Sequence, residues 1–273
     1  MEEDIRSGDI TSRATVGRDI GGSARMISRQ QGVIAGLDIA RETFHFVDSQ
    51  LQIDLMFADG DPVNPNDEVI VLKGKLSSIL IAERVALNFL GKLSGIATLT
   101  RKFVEQVRNT KCVILDTRKT TPLLRDLEKY AVRIGGGQNH RSGLHDMYLI
   151  KENHIVAAGG IDAALERVFK HRNKGQHKTL IEIEVASIDE LQAALKFPVD
   201  RVLLDNMSVE DIDKAVRICN RRTKLEVSGG VNLNNVREYA GTGVDFISVG
   251  QITHSVPSLN LSLLVDKNSI GIV

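Results

Sequence analysis

The sequence predicts an α/β chain in two parts, a compact mixed half followed by a half built on a parallel sheet. Three observations carry this. After Val107 short apolar runs of strand length alternate with amphipathic helical stretches, and that alternation implies a parallel sheet, either closed as a barrel or open and doubly wound. Nearly every one of those runs ends in a polar or small functional residue, as in β/α barrels, whose strand ends converge on one face. Before Ala82, strand-like runs follow one another around a single helical pattern, which suggests an antiparallel sheet with a helix packed on it.

In chain order, residues 1–30 are polar and Gly-spaced, with GDIT at Gly8–Thr11 and a strand expected over Ala24–Gln30. A helical pattern runs from Asp38 to Val47, LQIDLMF alternates over Leu51–Phe57, and EVIVLKGKLSSILI over Glu68–Ile81 reads as strand. Between them DGDPVNPND, Asp59–Asp67, reads as turns, because Pro62 and Pro65 restrict the backbone and Asn and Asp bond locally. From Ala82 to Val107 the residues Val85, Phe89, Leu93 and Ile96 recur at helical spacing. Gly91 and Gly95 permit a bend or close packing there, so one helix, or two with a break, bridges the halves. The second half offers strands at Cys112–Asp116, Met147–Lys151, Leu180–Val185, Arg201–Asp205, Lys224–Ser228 and Asp245–Gly250. Helices are expected at Asp162–His171, Ile188–Lys196, Ser208–Asn220 and Asn234–Ala240.

Thirty-five Lys and Arg balance thirty-five Asp and Glu, which argues against a general nucleic-acid or membrane-surface protein. Cys112 and Cys219 lack CxxC or CxxxH neighbours and read as core thiols of a reducing compartment rather than zinc ligands or a disulfide. No apolar stretch reaches membrane-spanning length and no signal-peptide pattern opens the chain. A cytoplasmic protein is expected. Against that neutral background, Lys111–Lys151 holds eight Lys or Arg and four Asp or Glu. Such a local excess asks for an anion.

The candidate site residues follow from strand ends. Arg118 and Lys119, in DTRKTTP, offer a bidentate grip and a compact charge for carboxylate or phosphate. Gly135–Arg141, GGGQNHR, matches neither a Walker loop nor GxGxxG, and its glycines are expected to let backbone approach a ligand that His140 and Arg141 contact. Lys151 suits a Schiff base, a general acid or an anion clamp. Glu184 and Asp205 close two strands and suit Mg²⁺ or developing positive charge. Glu182 shares the pleat face of Glu184, which lies nearer the carboxyl end and is chosen for the site. SGG at Ser228, Gly229 and Gly230 and SVG at Ser248–Gly250 fit a phosphate seat on the last two strands. The basic run Lys170–Lys178 reads as a solvated helix end, and His45 and His254 as ordinary structural or surface histidines.

Taken together, GDIT, AERVALNFLGKLSGIAT, LDTRKTTP, EKYAVRIGGGQNHR, LIKENH, IEIEV, LLDN, EVSGG and ISVG occur in the order, and over nearly the length, of the quinolinate phosphoribosyltransferase family, which the chain closely resembles. The resemblance implies an N-terminal α/β sandwich over 1–95 completed by the tail 257–273, and a seven-stranded α/β barrel over 96–256. It implies transfer of phosphoribosyl from PRPP to quinolinate with Mg²⁺, giving nicotinate mononucleotide, pyrophosphate and carbon dioxide. It also implies a homodimer or larger assembly in which Arg84, from the ERxxLN segment, enters the neighbouring subunit's site. By matching motif, Arg84, Arg118, His140 and Arg141 would hold the quinolinate carboxylates. Lys119 and Lys151 would span both substrates, Glu184 and Asp205 would lie on the metal and ribose side, and the SGG and SVG turns would seat the PRPP 5′-phosphate. Only seven residues precede GDIT, which points to a shortened first domain, and the Lys170–Lys178 loop looks longer than usual in that family. His145 stands where relatives often differ. The alternatives are a phosphoribosyltransferase acting on nicotinate or another ring acid without decarboxylation, and a non-catalytic anion-binding subunit.

Overall fold

A computed structural model of the chain describes residues 1–17, 20–175 and 178–272, so Gln176 and His177 of the basic run lie outside the described residues. The chain divides into two compact units, Met1–Leu99 with the segment from Val256 onward, and Thr100–Ser255.

The first unit opens with two short helices the sequence did not signal, α1 (Glu2–Ile5) and α2 (Ile10–Thr15), the second capped by Asp9. Strand β1 (Ile20–Ser28), β2 (Gly32–Val33), helix α3 (Leu37–Val47), β3 (Gln52–Leu55), β4 (Pro62–Val63), β5 (Glu68–Lys75) and helix α4 (Leu76–Val107) follow. Residues 76–81, expected as strand, are the first turns of α4. The run LSSILI is apolar without a clear period, and Leu76 and Ile79 bury themselves from one helix face instead. α4 is one helix without a break, and its glycines serve close packing. A Cβ on Gly95 would lie 2.3 Å from the Pro257 carbonyl oxygen, and the Leu259 N–H donates to the Gly91 carbonyl at 2.8 Å.

The antiparallel sheet of this unit runs β12-β1-β5-β3, with β12 (Leu261–Val265) and β13 (Gly271–Ile272) both pairing with β1. Alternation in β1 and β5 turns Ala24, Met26, Ile70 and Leu72 inward, where they meet Phe44 of α3 and Ile79, Ala86 and Leu90 of α4.

The second unit contains β6 (Val113–Leu115), α5 (Arg125–Ile134), β7 (Tyr148–Ile150), α6 (Glu152–Ala158), α7 (Ile161–Lys174), β8 (Ile181–Val185), α8 (Ile188–Ala194), β9 (Arg201–Asp205), α9 (Val209–Cys219), β10 (Lys224–Ser228), α10 (Val236–Gly241), β11 (Phe246–Ser248) and α11 (Gln251–His254). All six expected strands form. They make one parallel sheet in the order β6-β11-β10-β9-β8-β7. That order is sequential, with the first strand joined beyond the last, as a barrel requires and a doubly wound sheet, which reverses direction, does not. The seventh strand position is reduced to a parallel bridge between Gln138 and Leu115 on the free side of β6. Gly137 fits there because a Cβ would come within 2.9 Å of Thr100 and Val132 side-chain atoms. Gly137 thus lets the backbone lie close against the sheet.

The four expected helices are α7, α8, α9 and α10, and Ser187 and Ser208 cap α8 and α9 through their hydroxyls. Helices α5, α6 and α11 are additions to that set. The start of the basic run, Lys170–Lys174, is the solvated end of α7, where Arg172 pairs with Asp200 at 3.3 Å. Among the described residues no helix is long and apolar enough to cross a membrane. Cys112 and Cys219 are buried free thiols, and burial pushes Cys112 up to about 12, too high for a thiolate nucleophile.

Candidate active site

Side chains along the parallel strands fall into two layers, because residues two or four apart on a strand share a face. Glu182 and Glu184 on β8, Arg201 and Asp205 on β9, and Glu226 and Ser228 on β10 are such pairs.

The outer layer holds the residues the strand-end pattern selected. Lys151, just past β7, meets Glu184 with Nζ to Oε2 at 2.5 Å; their side chains are 48% and 15% exposed. The parallel register of β7 and β8 produces this contact, since Ile150 lies opposite Ile183. Asp205 lies opposite Ser228, and its Oδ2 accepts from Asn206 Nδ2 at 2.7 Å. Gly229, φ +94°, takes a backbone shape that L side chains disfavour, and a Cβ there would lie 2.2 Å from Asn206 Oδ1. The SVG turn ends at Gly250, which abuts the Lys119 side chain: a Cβ on Gly250 would be 3.2 Å from Lys119 Cδ. Thr253 Oγ1 ties the two loops together by donating to the Lys119 carbonyl at 2.7 Å. His254 borders the same turn, its ring about as near to Gly250, so it neighbours the site.

Two guanidiniums share this face. Burial, and then the neighbouring charge of Arg118, lower the pKa of Arg141, while Arg118 Nε is buried without a hydrogen-bond partner among the described residues. Like charges held together with an unused donor are arranged for an anion.

The inner layer was largely missed by sequence reasoning. Glu182 and Glu226 are fully buried, and His140, 6% exposed in its side chain, places Nε2 at 3.1 Å from Glu182 and 3.4 Å from Glu226. Arg201 Nη1 meets Glu226 Oε2 at 2.5 Å and stacks over Phe246, and Ser248 Oγ donates to Glu226 Oε1. Ser248, expected in the phosphate seat, thus spends its hydroxyl on this cluster. Burial opposes a charge on His140, but the two carboxylates more than offset it and push the imidazole up to about 9. Burial raises Glu182, whereas His140, Arg201 and Ser248 outweigh burial and lower Glu226. One proton is therefore contested between Glu182 and His140, and the cluster is neutral wherever it resides. The Arg141 N–H points at His140 Nδ1 at 2.7 Å. The signal available in sequence was the EVS of β10, patterned like IEIEV.

A second buried network holds the loop after β6. Asp116 accepts from Lys129 Nζ at 2.5 Å, from the His140 N–H at 2.8 Å and from Asn139 Nδ2 at 2.6 Å. Burial raises its pKa and Lys129 opposes that.

Glu184 and Asp205 offer only oxygen donors, each with one oxygen already engaged as above, a donor set that fits a hard divalent cation such as Mg²⁺. His140, Glu182 and Glu226 also bring ligand atoms within 4.8 Å of one another, but a cation there would have to displace Arg201 and the imidazole contacts. Arg84 lies on α4 of the first unit, with its exposed guanidinium 4.0 Å from Glu83.

Residues 9–94 match the family model for the quinolinate phosphoribosyl transferase N-terminal domain, and residues 96–264 the model for its C-terminal domain. The chain belongs to the quinolinate phosphoribosyltransferase family. It is 40% identical over 274 residues to quinolinate phosphoribosyltransferase (decarboxylating) 2b, mitochondrial, of Nicotiana tabacum, covering 95% of this chain and 78% of that protein. Among solved structures, the nicotinate-nucleotide pyrophosphorylase of Francisella tularensis superposes with a TM-score of 0.92 at 46% identity, over 97% of this chain and 92% of that one. The enzyme of the same name from Ehrlichia chaffeensis gives 0.92 at 40% identity, over 97% and 95%. The two-part fold is that of these solved nicotinate-nucleotide pyrophosphorylases.

Proposed function

We propose that this chain transfers phosphoribosyl from PRPP to quinolinate and decarboxylates the product, yielding nicotinate mononucleotide, pyrophosphate and carbon dioxide for NAD biosynthesis. The observation that carries this, beside family membership, is the Arg118 and Arg141 pair with its unpartnered buried donor, a grip suited to adjacent carboxylates on a planar ring. Arg118 and Arg141 hold the dianion, and Lys119 and Lys151 bring the second, heavily anionic substrate against it by offsetting its charge. The ring nitrogen attacks ribose C1 while positive charge develops on the sugar, and Glu184 and Asp205 face that charge. Quaternising the nitrogen then stabilises the carbanion left at ring C2, so carbon dioxide departs after the ribosyl transfer and C2 takes up a proton from solvent. The Gly229–Gly230 turn and the turn at Gly250 receive the 5′-phosphate through backbone N–H groups.

Glu184 and Asp205 would hold Mg²⁺, which when bound neutralises departing pyrophosphate. The same reading makes the protein a cytoplasmic homodimer or larger assembly with Arg84 contributed across subunits. An acceptor comparison tests the substrate. With PRPP and Mg²⁺, quinolinate should support turnover and nicotinate should not. Turnover with nicotinate and none with quinolinate would favour the non-decarboxylating alternative.

A further inference from the structure

Arg125 is a half-buried guanidinium at the wrong end of a helix for its charge. It is the first residue of α5, where the helix dipole disfavours a cation, and among the described residues no carboxylate pairs with it. Its three nitrogens are instead turned to two loops of the strand-end face. Nε donates to Thr120 Oγ1 at 3.0 Å, Nη2 faces the Arg118 carbonyl at 3.5 Å, and Nη1 donates to the Ser142 carbonyl at 2.9 Å. Thr120 and Arg118 belong to the loop that also carries Lys119, whereas Ser142 follows Arg141 directly.

The two loops differ in how well they hold themselves. Ser142 is a fixed footing, because Asp146 accepts from its N–H at 2.6 Å and from its hydroxyl at 2.9 Å. The other loop is strained. It turns through Pro122 and Leu123, closed by the Leu124 N–H on the Thr121 carbonyl at 3.1 Å, and Leu123 has φ +67° with its side chain fully exposed. A leucine in that left-handed conformation, with no burial to offset it, persists only where the surroundings fix the loop. Glu128 Oε2 accepts from the Thr121 N–H at 3.1 Å, and Arg125 ties Thr120 and Arg118 across to Ser142. A planar fork with nitrogens at fixed spacing sets the separation of the loops, and hence that of the Arg118 and Arg141 guanidiniums.

We propose that Arg125 is a positioning residue, a clasp that holds the Arg118 loop at a fixed distance from the Arg141 loop without itself touching substrate. Its effect on substrate rests on the function proposed above, whereas the clasp can be measured without turnover.

Lysine separates the clasp from the charge. Arg125→Lys keeps the cation but offers a single nitrogen, which cannot reproduce the fork across two loops, and Arg125→Ala removes both. The Thr120 N–H donates to the Arg118 carbonyl at 3.0 Å, so amide hydrogen exchange at Thr120 and Leu124 reports on the loop. It should be faster by about tenfold or more in both variants, since one net hydrogen bond is worth roughly that factor. At steady state both variants should raise KM for quinolinate about tenfold, with KM for PRPP within about threefold. Thr120→Val deletes one contact and leaves the guanidinium in place. It should raise KM for quinolinate about threefold, and it serves where an Arg125 variant fails to fold.

Arg125→Lys matching the wild type in exchange or in KM for quinolinate would overturn the proposal, since charge alone would then suffice. So would equal rises in both KM values, or a lower Tm with KM for quinolinate unchanged, which are the marks of a merely structural arginine. A wild type that makes no product from quinolinate, with variants that show the predicted exchange, would instead count against the proposed function and leave the clasp standing.

Discussion

Replacing Lys151 by Ala should separate activity from stability. Lys151 Nζ lies 2.5 Å from Glu184 Oε2, but the lysine side chain is 48% exposed, and solvent screening limits such a pair to about 0–1 kcal/mol. The Lys151 backbone N–H, which donates to His154 Nδ1 at 3.0 Å, survives the change. At roughly 2–4 °C per kcal/mol for a chain of this size, Tm should fall by no more than about 4 °C. Losing one preorganised charge aimed at a reacting group costs about 10²–10³ in kcat, or roughly 2.7–4 kcal/mol of barrier. The assay is steady-state turnover with saturating quinolinate and PRPP, beside a calorimetric scan of the same preparation. A kcat within about threefold of wild type would remove Lys151 from the catalytic machinery. A Tm drop well beyond 4 °C would show that its role is structural.

Three further outcomes follow from the geometry. Lys129→Met leaves Asp116, 0% exposed, as a buried charge without its cation, so stability should fall by about 3–5 kcal/mol, read as a calorimetric Tm lower by roughly 6–20 °C. Gly229→Ala forces a Cβ onto Asn206 at φ +94°, and should raise KM for PRPP by tenfold or more with little change in KM for quinolinate, measured by initial rates. Burial alone would raise Asp146, but the N–H groups of Ser142 and Gly143 and the Ser142 hydroxyl outweigh it and hold the carboxyl down at about 2. A depressed carboxylate stabilises above its unfolded value of 3.8 and loses that contribution as pH falls through about 2. Amide exchange should therefore show Ser142 and Gly143 protected at pH 4 and opened toward pH 2.

Much of the fold and of the outer site is legible in the amino-acid sequence, for physical reasons that differ by element. The six parallel strands stand out because each is short, apolar and closed by a functional residue, so a two-sided burial pattern and a strand-end pattern agree at Ile150–Lys151, Leu204–Asp205 and Val227–Ser228. The start of α4 does not stand out, because Leu76–Ile81 is apolar enough to read equally as strand. Helix α5 is hidden inside the basic stretch: its charges draw attention as a site, although Leu127, Tyr130, Ala131 and Ile134 recur at helical spacing. The outer cations and carboxylates are found from their strand ends. The buried partners are not, since Asp116 with Lys129 and Glu226 with Arg201 are joined by folding across 13 and 25 positions, a separation that no periodicity reports. His140 shows the consequence. Its motif places it at the site, and only its two neighbours reveal that it faces inward.

Ribosyl transfer coupled to loss of one carboxylate at the Arg118, Arg141 and Lys151 face is tested most directly by the product balance with quinolinate labelled in the C2 carboxylate, PRPP and Mg²⁺. Labelled carbon dioxide, pyrophosphate and nicotinate mononucleotide should form in equal amounts. Pyrophosphate released with the label retained in a ribosylated dicarboxylate, or no pyrophosphate at all, would contradict it.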